Sequence, residues 1–379
     1  MKKTKGFGII GIIVIMLITA MVSSIATGVI MLNNKTASAV NPSLGIQNDE
    51  ELQEFIEVYQ TLVSKYYKDI DKQELLDAAK DGMSDYLGEK YTTFLGDEEY
   101  DKIVQELSGT YNGIGIVVRG NEIVSVTLNS PAELAGVKKG DKILKVDGQD
   151  VTTLSSSELG NLIKKSTSKM VTLELERNSA TIYLTVERKE LPTIMYYKLE
   201  NTSIGYISIT NFSKNLGTQM DLALKELEKH SITGLIIDVR DNAGGYLSAA
   251  EETASLFLEK GKVIYSLESN NSKYTYYDET SQKTNYPIVV LTNGNSASAS
   301  EILAAALRES YGAIIVGTKT YGKGKVQQVV DSFKFTSAEW LTPNGICIDG
   351  VGIIPNYIVE YMDAGSYDAQ VQKAIDLLS

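Results

Sequence analysis

Two short runs constrain the fold of this 379-residue chain more than anything else in it: Leu235-Ile236-Ile237-Asp238-Val239 and Ile288-Val289-Val290-Leu291. Apolar runs without polar alternation are what strands need when they are covered on both faces. Helical periodicity lies before, between and after them, at 219–229, 248–258 and 300–309. Buried strands separated by helices predict an α/β core over residues 192–379.

The texture upstream differs. Over 108–191 the apolar residues alternate in short segments: Ile114 to Val118, Val124 to Val126, Ile143 to Val146, Val171 to Leu175 and Ile182 to Val186. Asp147-Gly148 and Asn178-Ser179 read as tight turns between strands. Ser130-Pro131 through Gly136 reads as a short capped helix, and 156–165 as a longer one. This is a compact β-rich domain. Residues 41–107 form a helical segment in which Leu52, Phe55, Ile56, Tyr59 and Leu62 share one face, followed by Leu75, Leu76, Ala79, Met83 and Leu87.

Residues 1–40 read as an anchor and tether. Lys2, Lys3 and Lys5 precede an uncharged stretch from Gly6 to Leu32, long enough to span a bilayer core of about 20 apolar residues. The lysines place the N-terminus on the cytoplasmic side, so the rest of the chain is expected outside the membrane. Ala37-Ser38-Ala39 is the alternative, a small-residue site at which the segment is removed. The fold expected is therefore α+β and multidomain.

Charge and composition narrow the chemistry. Lys+Arg of 36 against Asp+Glu of 48 gives a net charge of −12, and an acidic chain lacks the basic footprint that drives nucleic-acid binding. One cysteine, Cys347, excludes an intramolecular disulfide framework and a multi-cysteine zinc cage. One histidine, His230, excludes two-histidine chemistry, and no metal or organic cofactor is expected. His230 follows Leu227-Glu228-Lys229 and reads as a helix C-terminal residue rather than a catalytic base.

Gly113-Ile114-Gly115-Ile116 can turn successive N–H groups inward onto a carboxylate, and the strand edge that follows can pair with an extended peptide. With Ser130-Pro131-Ala132 and Gly140 to Gly148, the segment resembles PDZ domains. The resemblance implies capture of a free peptide C-terminus. Leu159, Leu162 and Ile163 would then line the pocket for the last side chain, or belong to ordinary core.

Three later blocks carry chemistry. Asn295-Ser296-Ala297-Ser298-Ala299-Ser300-Glu301 sits where a buried strand passes into a helix, a place that exposes a hydroxyl beside helix N-terminal amides. Thr320-Tyr321-Gly322-Lys323-Gly324-Lys325-Val326-Gln327 follows, and Asp238-Val239-Arg240-Asp241-Asn242-Ala243-Gly244-Gly245 precedes. In this order, with Leu341 to Gly345 and Gly352 to Pro355, they resemble the carboxyl-terminal processing (tail-specific) serine peptidases.

That resemblance implies a crotonase/ClpP-like peptidase core with Ser298 as nucleophile, Lys323 as general base and Gln327, about one helical turn on, orienting the lysine. It also implies an oxyanion hole from the N–H of Ala299 and of Gly244 or Gly245, gating by the PDZ-like domain, and a homodimer through the helical segment. Lysine can take a serine's proton only when neutral, which calls for burial. Ser296, Ser300 and Lys325 are the alternatives to Ser298 and Lys323. Ser166 to Lys169 matches a Ser-x-x-Lys acyl-transfer motif without its companions.

The chain departs from the family pattern at Glu309, where Asp is usual, at Ala243 and at Pro355-Asn356. The expected activity is serine endopeptidase cleavage of protein or peptide substrates with free C-termini. The rivals are a non-enzymatic PDZ adaptor that binds protein tails and a cell-wall acyltransferase.

Overall fold

The computed structural model describes residues 49–107, 110–165, 168–270, 272–281, 284–361, 363–364 and 367–379. The apolar stretch from Gly6 to Leu32 and Ser166 lie outside the described residues. Among the described residues no helix is long and apolar enough to cross a membrane. The chain divides into two compact units, one ending at Phe94 and including Val329–Lys334, the other made of Leu95–Gln328 with Phe335–Ser379.

In the first unit Asp49 caps the helix Glu50–Lys65, accepting from the Leu52 N–H at 3.1 Å. Asp71 caps Lys72–Leu87 in the same way, and Gly88 ends it with φ of 65°, a left-handed conformation open to glycine. Neither helix has a fully buried side chain, although Phe55, Val58, Met83 and Leu87 are large and exposed. The strand Thr93–Phe94 pairs antiparallel with Phe333 and Lys334, and the Phe94 and Phe333 rings stack at 4.5 Å.

The second unit begins with a sheet of Ile116–Arg119, Glu122–Val126, Lys142–Val146, Met170–Arg177 and Ala180–Glu187 in that spatial order. Ile123, Ile143, Leu173, Leu175, Val186 and Leu159 close its core. The turns fall where the sequence places them. Asp147 and Gly148 have φ of 48° and 83°, and Asn178 and Ser179 have 52° and 61°, as hairpins with two left-handed central residues require. The expected strand from Ile114 starts two residues late, at Ile116, because Gly115 turns left-handed with φ of 86°. A Cβ on Gly115 would stand 2.3 Å from that of Ser130, which ties the first PDZ-like patch to the second.

The α/β core is a six-stranded sheet in the order Ile194–Lys198, Ile204–Ile209, Gly234–Asp238, Ile288–Thr292, Ile314–Gly317 and Tyr357–Ile358. The first pair is antiparallel and the rest are parallel. Strands Gly234–Asp238 and Ile288–Thr292 are buried at every residue. Leu235, Ile237 and Val290 face the helices Leu216–Glu228, Leu247–Ala254 and Ala299–Ala306. Ile236, Val289 and Leu291 face the helix Ala369–Leu378. The third expected helix stops early: after Ala306 the backbone widens into a π turn, Leu307–Tyr311, closed by Gly312 at φ of 97°.

A second sheet, which the sequence analysis does not anticipate, joins Lys325–Val330 to Phe333–Leu341, and that strand to Val263–Ser269 through Ser266↔Leu341, Leu267↔Trp340 and Glu268↔Glu339. It supplies a wall for the residues after Lys323. One prediction follows from the hairpin geometry. Ser179→Gly, at a left-handed turn position, raises the unfolding free energy by about 0.5–1 kcal/mol, measurable by thermal or urea denaturation.

Candidate active site

The parallel strands set the site, because their C-terminal ends release two turns side by side. The strand Gly234–Asp238 runs into the turn ending at Gly245, and Ile288–Thr292 runs into the serine run. Three serines alternate there, and the outer two fasten the turn. The Ser296 hydroxyl donates to the Val239 carbonyl at 2.7 Å, and the Ser300 hydroxyl to that of Asn242 at 2.9 Å. Both serines are fully buried and so engaged, whereas Ser298 is only half-buried.

Ser298 has φ of 55° and ψ of −116°, a conformation that costs a non-glycine residue about 1–3 kcal/mol. Such a sharp turn lifts the side chain out of the strand-to-helix connection, directly ahead of the helix Ala299–Ala306. What holds it is Glu301, a fully buried carboxylate. Glu301 Oε2 accepts from the Ser298 N–H at 2.8 Å and from the Lys323 N–H at 2.9 Å. Its Oε1 accepts from the Thr320 hydroxyl at 2.5 Å and the Gly322 N–H at 2.8 Å. One oxygen therefore brings the backbone nitrogens of Ser298 and Lys323 within about 6 Å of each other.

Lys325 is disqualified as the base. It is ion-paired to Glu339, and the hydrogen bond and charge of that carboxylate hold its pKa above the ordinary lysine value. An ammonium so held does not accept a proton near neutrality. Lys323 is half-buried one turn of the loop earlier. Gln327 is not one helical turn beyond it, as expected from sequence, but on the strand Lys325–Val330, with its side-chain amide donating to Thr336 at 3.3 Å. The glycines flanking Lys323 pack against the second sheet and the 349–353 loop, which favours an extended exit over a helix.

The turn before Gly245 distinguishes the candidate oxyanion donors. The Gly244 N–H is already spent on Asn242 Oδ1 at 2.9 Å. Among the described residues neither the Gly245 nor the Ala299 N–H has an acceptor, and a first helical residue such as Ala299 has none of its own. Gly244 contributes space instead. A Cβ there would stand 2.9 Å from the Ser298 Cβ and 3.0 Å from the Ala299 nitrogen, closing the space beside Ser298. Asn242, which the sequence analysis does not single out, also donates to the Ile209 carbonyl at 2.7 Å and fixes the whole turn. Its signal was only an asparagine ahead of two glycines.

Asp238 and Arg240 pair with each other, and Arg240 reaches Asp368 and Gln370 of the last helix region at 2.8 Å each. Burial opposes the Arg240 charge, but the Asp238 carboxylate outweighs it and holds the guanidinium above its ordinary pKa. His230 is exposed on the turn ahead of Gly234–Asp238, while the serine site lies beyond that strand's other end, about 15 Å away at the rise of an extended chain. Glu309 holds the 342–345 turn by accepting from the Asn344 N–H at 2.9 Å, and Asn356 accepts from the Ile315 N–H at 2.8 Å.

The residues expected to bind a peptide divide. Gly113, Ile114, Gly115 and Ile116 line a groove of about 910 Å³ together with Ile163. Leu159 does not: it is fully buried in the domain core. Leu162 packs against that core and is likewise absent from the groove lining. On a helix beside the sheet, 159 and 163 share a face but only the latter lies at its open end. Among the described residues the strand Ile116–Arg119 is paired on one side only, by Glu122–Val126, and so offers an edge to an added peptide strand. Thr193, Met195, Thr210 and Asn211 of the α/β core complete the groove. Phe212, the next residue, accepts from the Tyr246 N–H at 2.7 Å, so the groove adjoins the turn that carries Gly245.

Residues 203–359 match the model of Peptidase family S41, and residues 122–177 match that of a PDZ domain. The carboxy-terminal processing protease CtpA of Bacillus subtilis (strain 168) is 36% identical over 361 residues, which cover 92% of this chain and 77% of that one. The chain belongs to the carboxy-terminal processing proteases of family S41. It is a serine peptidase. A second such protease of the same organism, CtpB, is 33% identical over 353 residues, 87% of this chain and 73% of its own. The solved photosystem II D1 C-terminal processing protease superposes with a TM-score of 0.51 at 25% identity, covering 88% of this chain and 92% of the other.

The role of Glu301 in this S41 peptidase is testable. Glu301→Gln keeps the volume but turns a donor toward two N–H donors. Cleavage falls by about 10²-fold or more, as a small displacement of reacting groups does, while tail-peptide binding to the PDZ domain, followed by calorimetry, stays intact.

Proposed function

We propose that this peptidase cleaves by a Ser298–Lys323 dyad through an acyl-enzyme. Lys323, neutral when desolvated, takes the proton of the Ser298 hydroxyl as Oγ attacks the scissile carbonyl. The developing oxyanion is received by the N–H groups of Gly245 and Ala299, and Gln327 lines the approach to the lysine. The protonated lysine then returns its proton to the leaving amine, and water releases the acyl group by the reverse sequence. The observation that carries this reading is the single Glu301 oxygen that accepts from both Ser298 and Lys323. A donor lost from an oxyanion hole costs about 2.7–4 kcal/mol, so Gly245 and Ala299 are worth a large part of the rate.

The PDZ groove holds the substrate's free C-terminus: Ile114, Gly115 and Ile116 offer backbone N–H groups, the edge strand pairs with the tail, and Ile163 meets an apolar last residue. Occupancy of that groove gates the turn carrying Gly245. The segment from Gly6 to Leu32 anchors the enzyme, with the catalytic part extracytoplasmic, and the exposed apolar faces of Glu50–Lys65 and Lys72–Leu87 pair two copies.

The test uses the chain from Asp49 onward and an unstructured protein ending in an apolar residue. The parent cleaves it. Ser298→Ala and Lys323→Ala each lose at least about 10³-fold in kcat. Amidating the substrate's C-terminus weakens capture by about 10–100-fold, the worth of a charge-assisted hydrogen-bond set. Tight tail binding by a well-folded parent that cleaves nothing would replace this reading with that of an adaptor.

A further inference from the structure

Lys323 stands between two glycines, the least restrained setting a backbone can offer. Yet every backbone polar group from Gly322 to Gly324 is held. The Gly322 N–H donates to Glu301 Oε1 and its carbonyl accepts from the Gly350 N–H at 2.9 Å. The Gly324 N–H donates to Asp349 Oδ1 at 3.0 Å and its carbonyl accepts from the Trp340 N–H at 2.9 Å. Lys323 itself is gripped from opposite ends of its residue: its N–H by Glu301, and its carbonyl by the indole Nε1–H of Trp340 at 2.8 Å.

We infer that the Trp340 indole N–H is a positioning group for the catalytic lysine. Trp340 is fully buried among Ile348, Val326 and the rest of the core cluster, and its own backbone is fixed by pairing with Leu267. It is thus a rigid post in the second sheet, and the one polar atom of its side chain is spent on the base. A buried indole N–H needs some acceptor. Here the acceptor is the carbonyl of the residue whose side chain must be held dry and aimed at Ser298. Glu301 sets where the lysine begins, and Trp340 sets the direction in which its main chain leaves, so the pair removes the rotation that the two glycines would otherwise allow. The inference rests on Lys323 being the base.

The chain has a single tryptophan, so the donor can be deleted without a mutation. Expression in a tryptophan auxotroph fed β-(3-benzothienyl)alanine replaces one N–H by sulfur at one position and keeps the ring's shape. The expected result is a kcat lower by about 3–10-fold, the worth of one hydrogen bond. The acid limb of the kcat/KM–pH profile moves to higher pH, because a lysine less firmly held reaches water and its ammonium is favoured. Tail-peptide affinity stays as in the parent, and the thermal midpoint falls by a few degrees because the Lys323 carbonyl loses its donor. Trp340→Phe shows the same shift of the acid limb, with an added loss of stability from the smaller ring.

An unmoved acid limb in the analogue protein overturns the proposal, whether or not kcat falls, and assigns the indole to packing alone. A shift that appears only in Trp340→Phe does the same. Failure of the dyad itself is read separately: Lys323→Ala retaining activity removes the base assignment, whatever the indole does.

Discussion

One buried carboxylate organises the catalytic end of this molecule. Glu301 lies in the first turn of the helix Ala299–Ala306, where a negative charge is favoured by the helix dipole, and it accepts four hydrogen bonds from two separate loops. A carboxylate removed from water is tolerable only when its lone pairs are met, and here both oxygens carry two donors. Satisfying the charge therefore fixes the geometry. The loops after the strands Ile288–Thr292 and Ile314–Gly317 are brought together, and the strained Ser298 backbone persists because its N–H has no better partner. Thr320 extends the arrangement by accepting from the Ile353 N–H at 2.6 Å, so the late Gly352-Ile353 block braces the same loop.

The same economy appears in the turn from Asp238 to Gly245. Its left-handed residues at 241, 244 and 245 would be costly alone, but Asn242 binds across the turn and the serine run binds onto it. The two glycines then do different things. Gly244 keeps a side chain away from Ser298, and Gly245 presents an amide. Their neighbour Phe212 directly follows Thr210 and Asn211, which line the groove, so the groove and the Gly244-Gly245 turn share a short stretch of backbone. The β-rich domain is set against the core on the side of its antiparallel edge strand, Ile194–Lys198, through the Leu128 N–H donating to the Tyr196 carbonyl at 3.3 Å.

Much of the architecture was legible in the chain. The runs at 235–239 and 288–291 are buried central strands, the Asp-Gly and Asn-Ser turns are hairpin turns, and helix 156–165 has the limits its periodicity suggests. The serine, lysine and glycine blocks were legible as motifs too, because each must put a small residue or a glycine at a fixed place. Less legible were residues whose importance lies in a partner distant in sequence. Glu301 and Asn242 look like ordinary polar residues until the fold brings up their partners, the Thr320 hydroxyl 19 residues away for Glu301 and the Ile209 carbonyl 33 residues away for Asn242. Leu159 and Ile163 are equivalent in a helical pattern, and only the packing of the helix on its sheet separates the core residue from the groove residue. Gln327 read as helical because four-residue spacing suggests a turn, whereas pairing with Phe333–Leu341 draws it into a strand.

By itself the sequence determined the secondary structure of the core, the turn positions and which residue types stand ready for serine peptidase chemistry. Local forces decide those: apolar periodicity, φ preferences and capping act within a few residues. Only the tertiary structure decided which serines and which lysine are taken up by other partners. Ser296 and Ser300 are consumed by carbonyls of the neighbouring turn, Lys325 by Glu339, and Ser298 and Lys323 are joined through Glu301. Identical side chains acquire different chemistry because burial makes every hydrogen bond exclusive, and the fold alone assigns the partners.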